Sequence, residues 1–272
     1  MFDLLLSPVI SVVAAVLAAN HSLAGTLGLS PGSAGAWLLG VFLLVVAVRT
    51  AMVPLVVHSV RGAHARARAL PHVSALRRRY EGTRDLDALR RMREEQRRIH
   101  LEHGVSRWSL APALLQLPLV YALYRVVSDL TAGHAVGALD AALVASASAA
   151  SVAGLHLTRR LGATLQQGPS AVVLLVGLAV LAAALSFATQ HWFTLPLMDL
   201  STQPASLGAV QHLMPWLAAG GVLVAAAYVP VGLLVYWVFN NAWTFGQQAL
   251  IWRFAPTPGS PAERRRHERG LS

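Results

Sequence analysis

The sequence predicts an all-α polytopic membrane protein, and three observations carry that prediction. Of its 272 residues, 55% are apolar and only 12% are charged, about half the charged share of an ordinary soluble domain. The apolar residues fall in runs close to the roughly 20 needed to cross a bilayer as a helix. The charge is also confined. Residues 61–107 hold 13 Arg against six acids, residues 253–272 hold five Arg against two, and the remaining charges cancel. By the positive-inside rule both basic segments lie in the cytoplasm.

The elements follow in order. Residues 4–19, LLLSPVISVVAAVLAA, are apolar but short and contain Pro8; they read as an N-terminal interfacial helix or a short spanning one. Asp3 and the lack of an upstream Arg argue against a cleavable secretory leader. Gly, Ser and Pro in residues 25–35 make a linker, which closes an N-terminal region of residues 1–35. Residues 36–57 form a full span, opened by Trp37 at one interface and followed by basic residues at the other.

From about Ser59 to Gly104 the chain is charged but helical in period. Ala63, Ala67, Leu70, Val73, Leu76 and Tyr80 recur at three- and four-residue steps, as do Leu86, Leu89, Met92, Gln96 and Ile99, with Gly82 and Thr83 between the two sets. Each stripe is narrow, so the segment predicts a cytoplasmic antiparallel helical hairpin over residues 59–104. Two solvated helices lying apart on the membrane surface are the alternative.

Residues 110–127 form the next span and include Pro112, Gln116 and Pro118. Residues 128–168 are rich in Ala and Ser, and the apolar run 141–153 is too short to cross. Residues 170–189 are a clear span, and residues 213–251 hold two more, 213–228 and 232–250, turning near Pro230 and Gly232. Residues 252–272 read as a basic disordered cytoplasmic tail. Five spans put hairpin and tail on the same side. If residues 141–157 crossed instead, Arg159 and Arg160 would lie inside and residues 213–251 would cross once.

Arg49 is the outstanding site candidate. It lies eight residues before Val57, about 12 Å from the cytoplasmic end of its span. An arginine near the bilayer centre costs about 2.5–3.5 kcal/mol on the translocon scale, which the apolar residues of the span offset. Depth alone leaves two readings open: a water-filled cavity facing other spans, or snorkelling with local bilayer thinning. The last span supplies polar company. Asn240, Thr244 and Gln247 with Gln248 form one stripe, with Tyr236 a turn earlier and Trp243 beside them. Amides in a span also serve simply to bond neighbouring helices, and Gln116 is open to that reading too.

Catalytic and cofactor signals are weak. The chain has no Cys, so disulfides and thiolate metal sites are excluded. His100, Glu102 and His103 are too sparse for a metal site, and no HExxH, paired intramembrane Asp or phosphate-cradling Gly loop is present. The Gly168–Ala171 stretch GPSA lacks the second Gly of a serine-nucleophile turn. No catalytic residue, metal or cofactor is nominated, and an enzyme is not expected. The arginine-rich segments lack an aromatic platform, so specific nucleic-acid binding is not expected either.

Taken together, WLLGVFLLVVAVRTAMVPL, the basic hairpin, HGVSRWSLAPALLQLPLVYALYRVV and VPVGLLVYWVFNNAWTFGQQ resemble the YidC/Oxa/Alb family of membrane protein insertases in order and spacing. The resemblance implies a five-span insertase core around a hydrophilic groove open to cytoplasm and lipid, with Arg49 as the groove arginine. Pro54, Pro112, Gln116, Pro118, Pro230, Gly232, Tyr236, Trp237, Asn240, Trp243 and Gln247 fall on other recurrent positions. It further implies nascent membrane proteins as clients, the lipid bilayer, the ribosome and the Sec translocon as candidate partners, and a multi-pass location in the bacterial plasma membrane. The chain looks like a short bacterial form resembling a divergent actinobacterial paralogue. It departs from the family where Ser106 and Arg107 follow Gly104 and Val105, and residues 131–168 have no clear counterpart. The rival reading is a small-solute transporter or channel with a cavity arginine. It calls for internal repeats or interrupted spans in both halves, and the sequence has no repeat.

Overall fold

A computed structural model describes residues 2–105, 111–152, 154–164, 166, 168–198 and 205–268. The expectations attached to Ser106, Arg107, Leu110 and Asp199 fall outside them. The described chain is overwhelmingly helical. Its helices are α1 (Phe2–Thr26), α2 (Ala34–Ala51), α3 (Val53–Arg79), α4 (Leu86–Glu102), α5 (Ala111–Ala132), α6 (Ala141–Ala149), α7 (Leu161–Thr164), α8 (Pro169–Ala188), α9 (Ala205–Ala226), α10 (Val231–Phe254) and α11 (Pro261–Glu268). Two short strands, β1 (Ser151–Val152) and β2 (Leu155–His156), pair antiparallel, with Ser151 opposite His156.

Among the described residues, three stretches are long and apolar enough to cross a membrane: Leu6–Thr26, Ala34–Ala51, and Pro169–Leu197, where α8 runs on through a π-helical turn (Thr189–Thr194) and a 3-10 turn (Leu195–Leu197). Val210–Ala226 is apolar and shorter. Helices α5 and α10 are 22 and 24 residues long and carry the polar residues described below. Helix α1 extends well past the apolar run seen in sequence, because Ser22 and Thr26 return their hydroxyls to the carbonyls of Ala18 and Leu23 (3.0 and 2.7 Å) and so satisfy themselves within the helix.

The chain divides into two compact units. The first comprises Met1–Ala51, Leu114–Ala188 and Pro215–Gly246. Within it α1 packs along α2. The two helices are close at Gly40, where a Cβ would be in ordinary contact with Leu17 Cδ1 (3.6 Å) and the His21 backbone nitrogen (3.7 Å). Asn20 donates to the Gly40 carbonyl (3.4 Å), and the rings of His21 and Trp37 stack with centroids 4.3 Å apart. Ser33 caps α2 by accepting from the Ala36 N–H at 3.2 Å. The core joins Val13, Ala14 and Leu17 of α1, Leu44 and Val45 of α2, Ala122, Leu123 and Val126 of α5, and Leu233 and Tyr236 of α10. A second cluster packs Leu175 and Ala182 of α8 against Leu234 and Val235 of α10.

Residues 133–160, which have no apolar run of spanning length, are organised as a cap on this unit. Asp140 caps α6 through the Leu143 N–H (2.9 Å). Ser146 accepts from Trp37 Nε1 (3.1 Å) and donates to the Pro31 carbonyl (2.6 Å). At nine residues, α6 is only about 13 Å long, too short to cross a bilayer. The carbonyls of Leu157 and Arg159 accept from the N–H groups of Gly232 (2.7 Å) and Val231 (2.9 Å). Those donors would otherwise be orphaned at the start of α10.

The second unit comprises Met52–Ala113, Thr189–Met214 and Gln247–Ser272. Helix α3 buries Ala65, Ala69, Val73 and Leu76. The stripe therefore agrees with the sequence period in its second half and is rotated off Ala63 and Ala67 in the first. Gly82, at φ +80°, turns the chain, and Asp85 caps α4 by accepting from Asp87 and Ala88 (3.1 and 3.2 Å). Tyr80 donates to Glu95 Oε1 at 3.2 Å, and the His72 and His103 rings meet at 4.9 Å, so the C-terminal part of α3 faces α4. The exposed pairs Arg79–Glu95 and Arg98–Glu102 are long, at 3.8 and 3.7 Å, and contribute little.

The tail differs from the sequence expectation of disorder. Within it Pro261–Glu268 is helical. Ser260, fully buried, accepts from the Glu263 N–H (3.3 Å), while Glu263 Oε2 accepts from the Gly259 N–H (2.6 Å). This is a variant of the capping box, with Glu263 reaching the N–H one residue before the N-cap, and with Pro at the first helical position.

Candidate functional site

Arg49 stands in the last turn of α2. Helix α2 stops at Ala51 and α3 starts at Val53, with Pro54 in the first turn of α3; proline has no N–H to donate, and its fixed φ suits that position. The sequence reading treats residues 36–57 as one continuous helix. The break instead puts Arg49 two residues from a helix C-terminus, where the partial negative charge of the macrodipole favours a cation.

The half-buried Arg49 side chain reaches α10. Its Nε donates to Asn240 Oδ1 at 3.0 Å, and its Nη2 donates to the same oxygen at 2.6 Å and to Thr244 Oγ1 at 3.0 Å. Thr244 can accept because its own hydroxyl proton goes to the Asn240 carbonyl at 2.8 Å. The buried Tyr236 donates to Asn240 Oδ1 at 3.4 Å. Asn240 Oδ1 thus gathers three donors, and all of Arg49's partners are neutral. Among the described residues no carboxylate lies within ion-pair distance of Arg49.

The other candidates divide. Trp243 packs on the core of the first unit. Gln247 lies one turn beyond Thr244 along α10, within the second unit. Gln116 is half-buried on α5, and no hydrogen bond joins it to Arg49. Pro112 is in α5, its side chain outside the described set. Gly232 has a clear steric reason: a Cβ there would stand 3.2 Å from the Leu157 carbonyl oxygen, and Pro230 precedes it in the turn that starts α10.

An apolar cavity of about 630 Å³ lies next to the arginine cluster in the same unit. It is lined by Leu6 of α1, by Leu117, Pro118, Val120, Tyr121 and Tyr124 of α5, and by Val229, Leu233, Tyr236 and Trp237 at and within α10. Tyr236 belongs to both: its ring walls the cavity, and its hydroxyl reaches Asn240. Of the cavity residues of α5, the sequence singles out only Pro118. Their i, i+3, i+4 spacing on Leu117, Val120, Tyr121 and Tyr124 was visible, but an apolar face on a spanning helix carries no sign of what it faces. Among the described residues no group of three or more His, Asp or Glu is placed to hold a metal.

Known proteins place the chain. The model of the 60Kd inner membrane protein family matches residues 29–257. A protein of Streptomyces avermitilis named membrane protein insertase YidC is 30% identical over 239 residues, covering 84% of this chain and 54% of that relative. The chain therefore spans about half of that relative's length. A Tropheryma whipplei protein of the same name is 28% identical, covering 99% of this chain and 91% of its own. A Streptococcus pneumoniae protein named membrane protein insertase YidC 2 is 26% identical over 75% of the chain and 62% of its own. With the family model matched over most of its length and relatives of that name aligned across it, this helical membrane protein belongs to the 60Kd inner membrane protein family, the YidC/Oxa/Alb family that its motifs resemble.

Proposed function

We propose that this protein is an insertase that guides nascent membrane proteins into the bacterial plasma membrane through a groove containing Arg49, with no nucleotide hydrolysis and no catalytic chemistry of its own. The observation that carries the reading is the junction at Tyr236. A cation held, among the described residues, by neutral acceptors adjoins an apolar cavity in one compact unit.

The physics follows from what a client must do. Its polar, often acidic, terminal segment has to cross hydrocarbon, where each unsatisfied polar group costs several kcal/mol. Arg49 offers that segment a transient charge partner, because its present partners are neutral and exchangeable. The client's apolar segment then leaves for lipid, driven by transfer at about 25 cal/mol per Å². A membrane potential positive outside adds about 2.3 kcal/mol per acidic charge per 100 mV.

In this reading the five spans are α2 with the start of α3, then α5, α8, α9 and α10, corresponding to residues 36–57, 110–127, 170–189, 213–228 and 232–250. The α3–α4 hairpin and the C-terminus face the cytoplasm, as their basic excess favours. Gln116 and Trp243 line the groove with Tyr236, Asn240 and Thr244. The ribosome and the Sec translocon are partners at the cytoplasmic face and in the membrane.

The deciding experiment depletes the protein and follows insertion of small single- and double-span clients, complemented with the parent chain, Arg49→Ala or Arg49→Lys. Loss of insertion on depletion supports the function, and normal insertion in depleted cells overturns it. Full rescue by Arg49→Ala would remove the electrostatic role while leaving the function standing.

A further inference from the structure

Charge, aromatic surface and a folded tail converge at the C-terminal end of α10. Between Phe254 and Glu268 the chain is held by contacts. Ala262 is buried and α11 packs on the 3-10 turn Leu195–Leu197. Arg266 Nη1 donates to the Phe254 carbonyl at 3.3 Å, and the His64 ring Nε2 lies 3.1 Å from the Ala255 carbonyl. These contacts hold α11 within one short loop of the end of α10, with Arg264, Arg265 and His267 exposed.

The neighbouring surface is apolar and aromatic. Leu250 and Phe254, one helical turn apart, are 60% and 68% exposed, and Trp192 is 57% exposed. The Phe193 and Trp252 rings meet edge-on at 6.0 Å, and the Arg253 guanidinium stands 5.8 Å from the Phe254 ring. Exposed aromatics at the ends of apolar helices sit at the water–lipid boundary. Arginines just beyond that boundary meet the negative surface potential of the cytoplasmic leaflet.

We infer that α11 is an interfacial clamp whose Arg264 and Arg265, with Arg253, bind the headgroups of anionic phospholipids and fix the depth of the end of α10 in the bilayer. The inference rests on the proposed cytoplasmic position of the tail but not on the insertase activity. A lipid surface is favoured over an RNA partner because Arg266 ties α11 to Phe254, which puts Arg264 and Arg265 within a short loop of the exposed apolar side chains of Leu250 and Phe254, a surface suited to a bilayer rather than to a nucleic acid.

The full chain, which has no native cysteine, is spin-labelled through His267→Cys. It is reconstituted in bilayers of phosphatidylcholine alone, or of two parts phosphatidylcholine to one part phosphatidylglycerol. Access of a water-soluble relaxation agent to the label is expected to fall roughly threefold or more in the anionic bilayer and to recover at high salt. The Arg264→Gln/Arg265→Gln double variant should abolish the fall. A second label at Leu195→Cys reports an unchanged distance to position 267 if α11 stays docked in that variant. Equal access in both bilayers, or a fall that survives the double variant with α11 docked, overturns the inference. Protection by added ribosomes in both bilayers, with no lipid dependence, overturns it in favour of an RNA partner.

Discussion

Arg49 and Asn240 are 191 residues apart in sequence, and a single amide oxygen of Asn240 accepts from two nitrogens of the guanidinium, at 3.0 and 2.6 Å. The pairing orients the charge without cancelling it, and substitutions at position 240 separate those two effects. Asn240→Asp supplies a carboxylate where the amide oxygen stands. It should keep or raise thermal stability in reconstituted protein, since hydrogen bonds to charged groups contribute about 1.5–3 kcal/mol. The same variant should insert clients with acidic termini less well, because the charge is then spent internally. Asn240→Leu should lower both stability and insertion. An Asn240→Asp chain with unchanged insertion of acidic clients would remove the free charge from the mechanism.

Arg49→Lys should recover part of the insertion lost in Arg49→Ala. The ammonium keeps the charge but lacks the planar fork that bonds Asn240 and Thr244 together. Clients with acidic termini should show the difference, and clients with neutral termini should show much less. Parallel insertion assays on one client with its terminal Asp and Glu neutralised provide the comparison.

Gly232→Ala should destabilise the fold by about 1–3 kcal/mol, the usual cost of forcing an extra carbon into a packed site. The new Cβ would stand 3.2 Å from the Leu157 carbonyl oxygen, in the place where that carbonyl approaches the start of α10. Gly246→Ala is the matched control. It has nothing within 4 Å and sits in the same helix, so it should be neutral or stabilising by up to about 1 kcal/mol. Thermal unfolding of the two variants side by side tests the contrast.

Single cysteines in this cysteine-free chain test the topology. A membrane-impermeant maleimide added to intact cells should label Ser30→Cys and should leave Gly82→Cys and Gln203→Cys unlabelled until the cells are opened. Labelling at position 203 from outside would overturn the five-span arrangement.

Much of the fold was legible because it rests on short-range chemistry. Apolar runs, Trp37 near a helix start, the second half of the apolar stripe of α3 and the glycine at position 82 each announce a local event, and each lies where its element begins, runs or turns. The folding of the tail was also written locally, in the Ser260-Pro261-Ala262-Glu263 capping box, but its density of arginine masked that signal. Residues 133–160 were opaque for a different reason. What orders them is contact with distant partners, Ser146 with Trp37 and the carbonyls of Leu157 and Arg159 with the start of α10, and Ala- and Ser-rich sequence carries no trace of such partners.

By itself, the sequence determined that this chain is a helical membrane protein with an anomalous arginine at position 49 and a polar stripe on its last long helix, because helical period and hydropathy are properties of neighbouring residues. Only the tertiary structure decided what the arginine meets. Depth left cavity and snorkelling both open, and the amphipathic stripe fixed which face of α10 is polar but not which helix it would face. Packing of α2 beside α10 brought Asn240 and Thr244 to the guanidinium, and the break before Pro54 set Arg49 at a helix end. The pairing depends on long-range contacts whose free energy comes from burying the apolar faces of several helices together, whereas the break follows locally from Pro54.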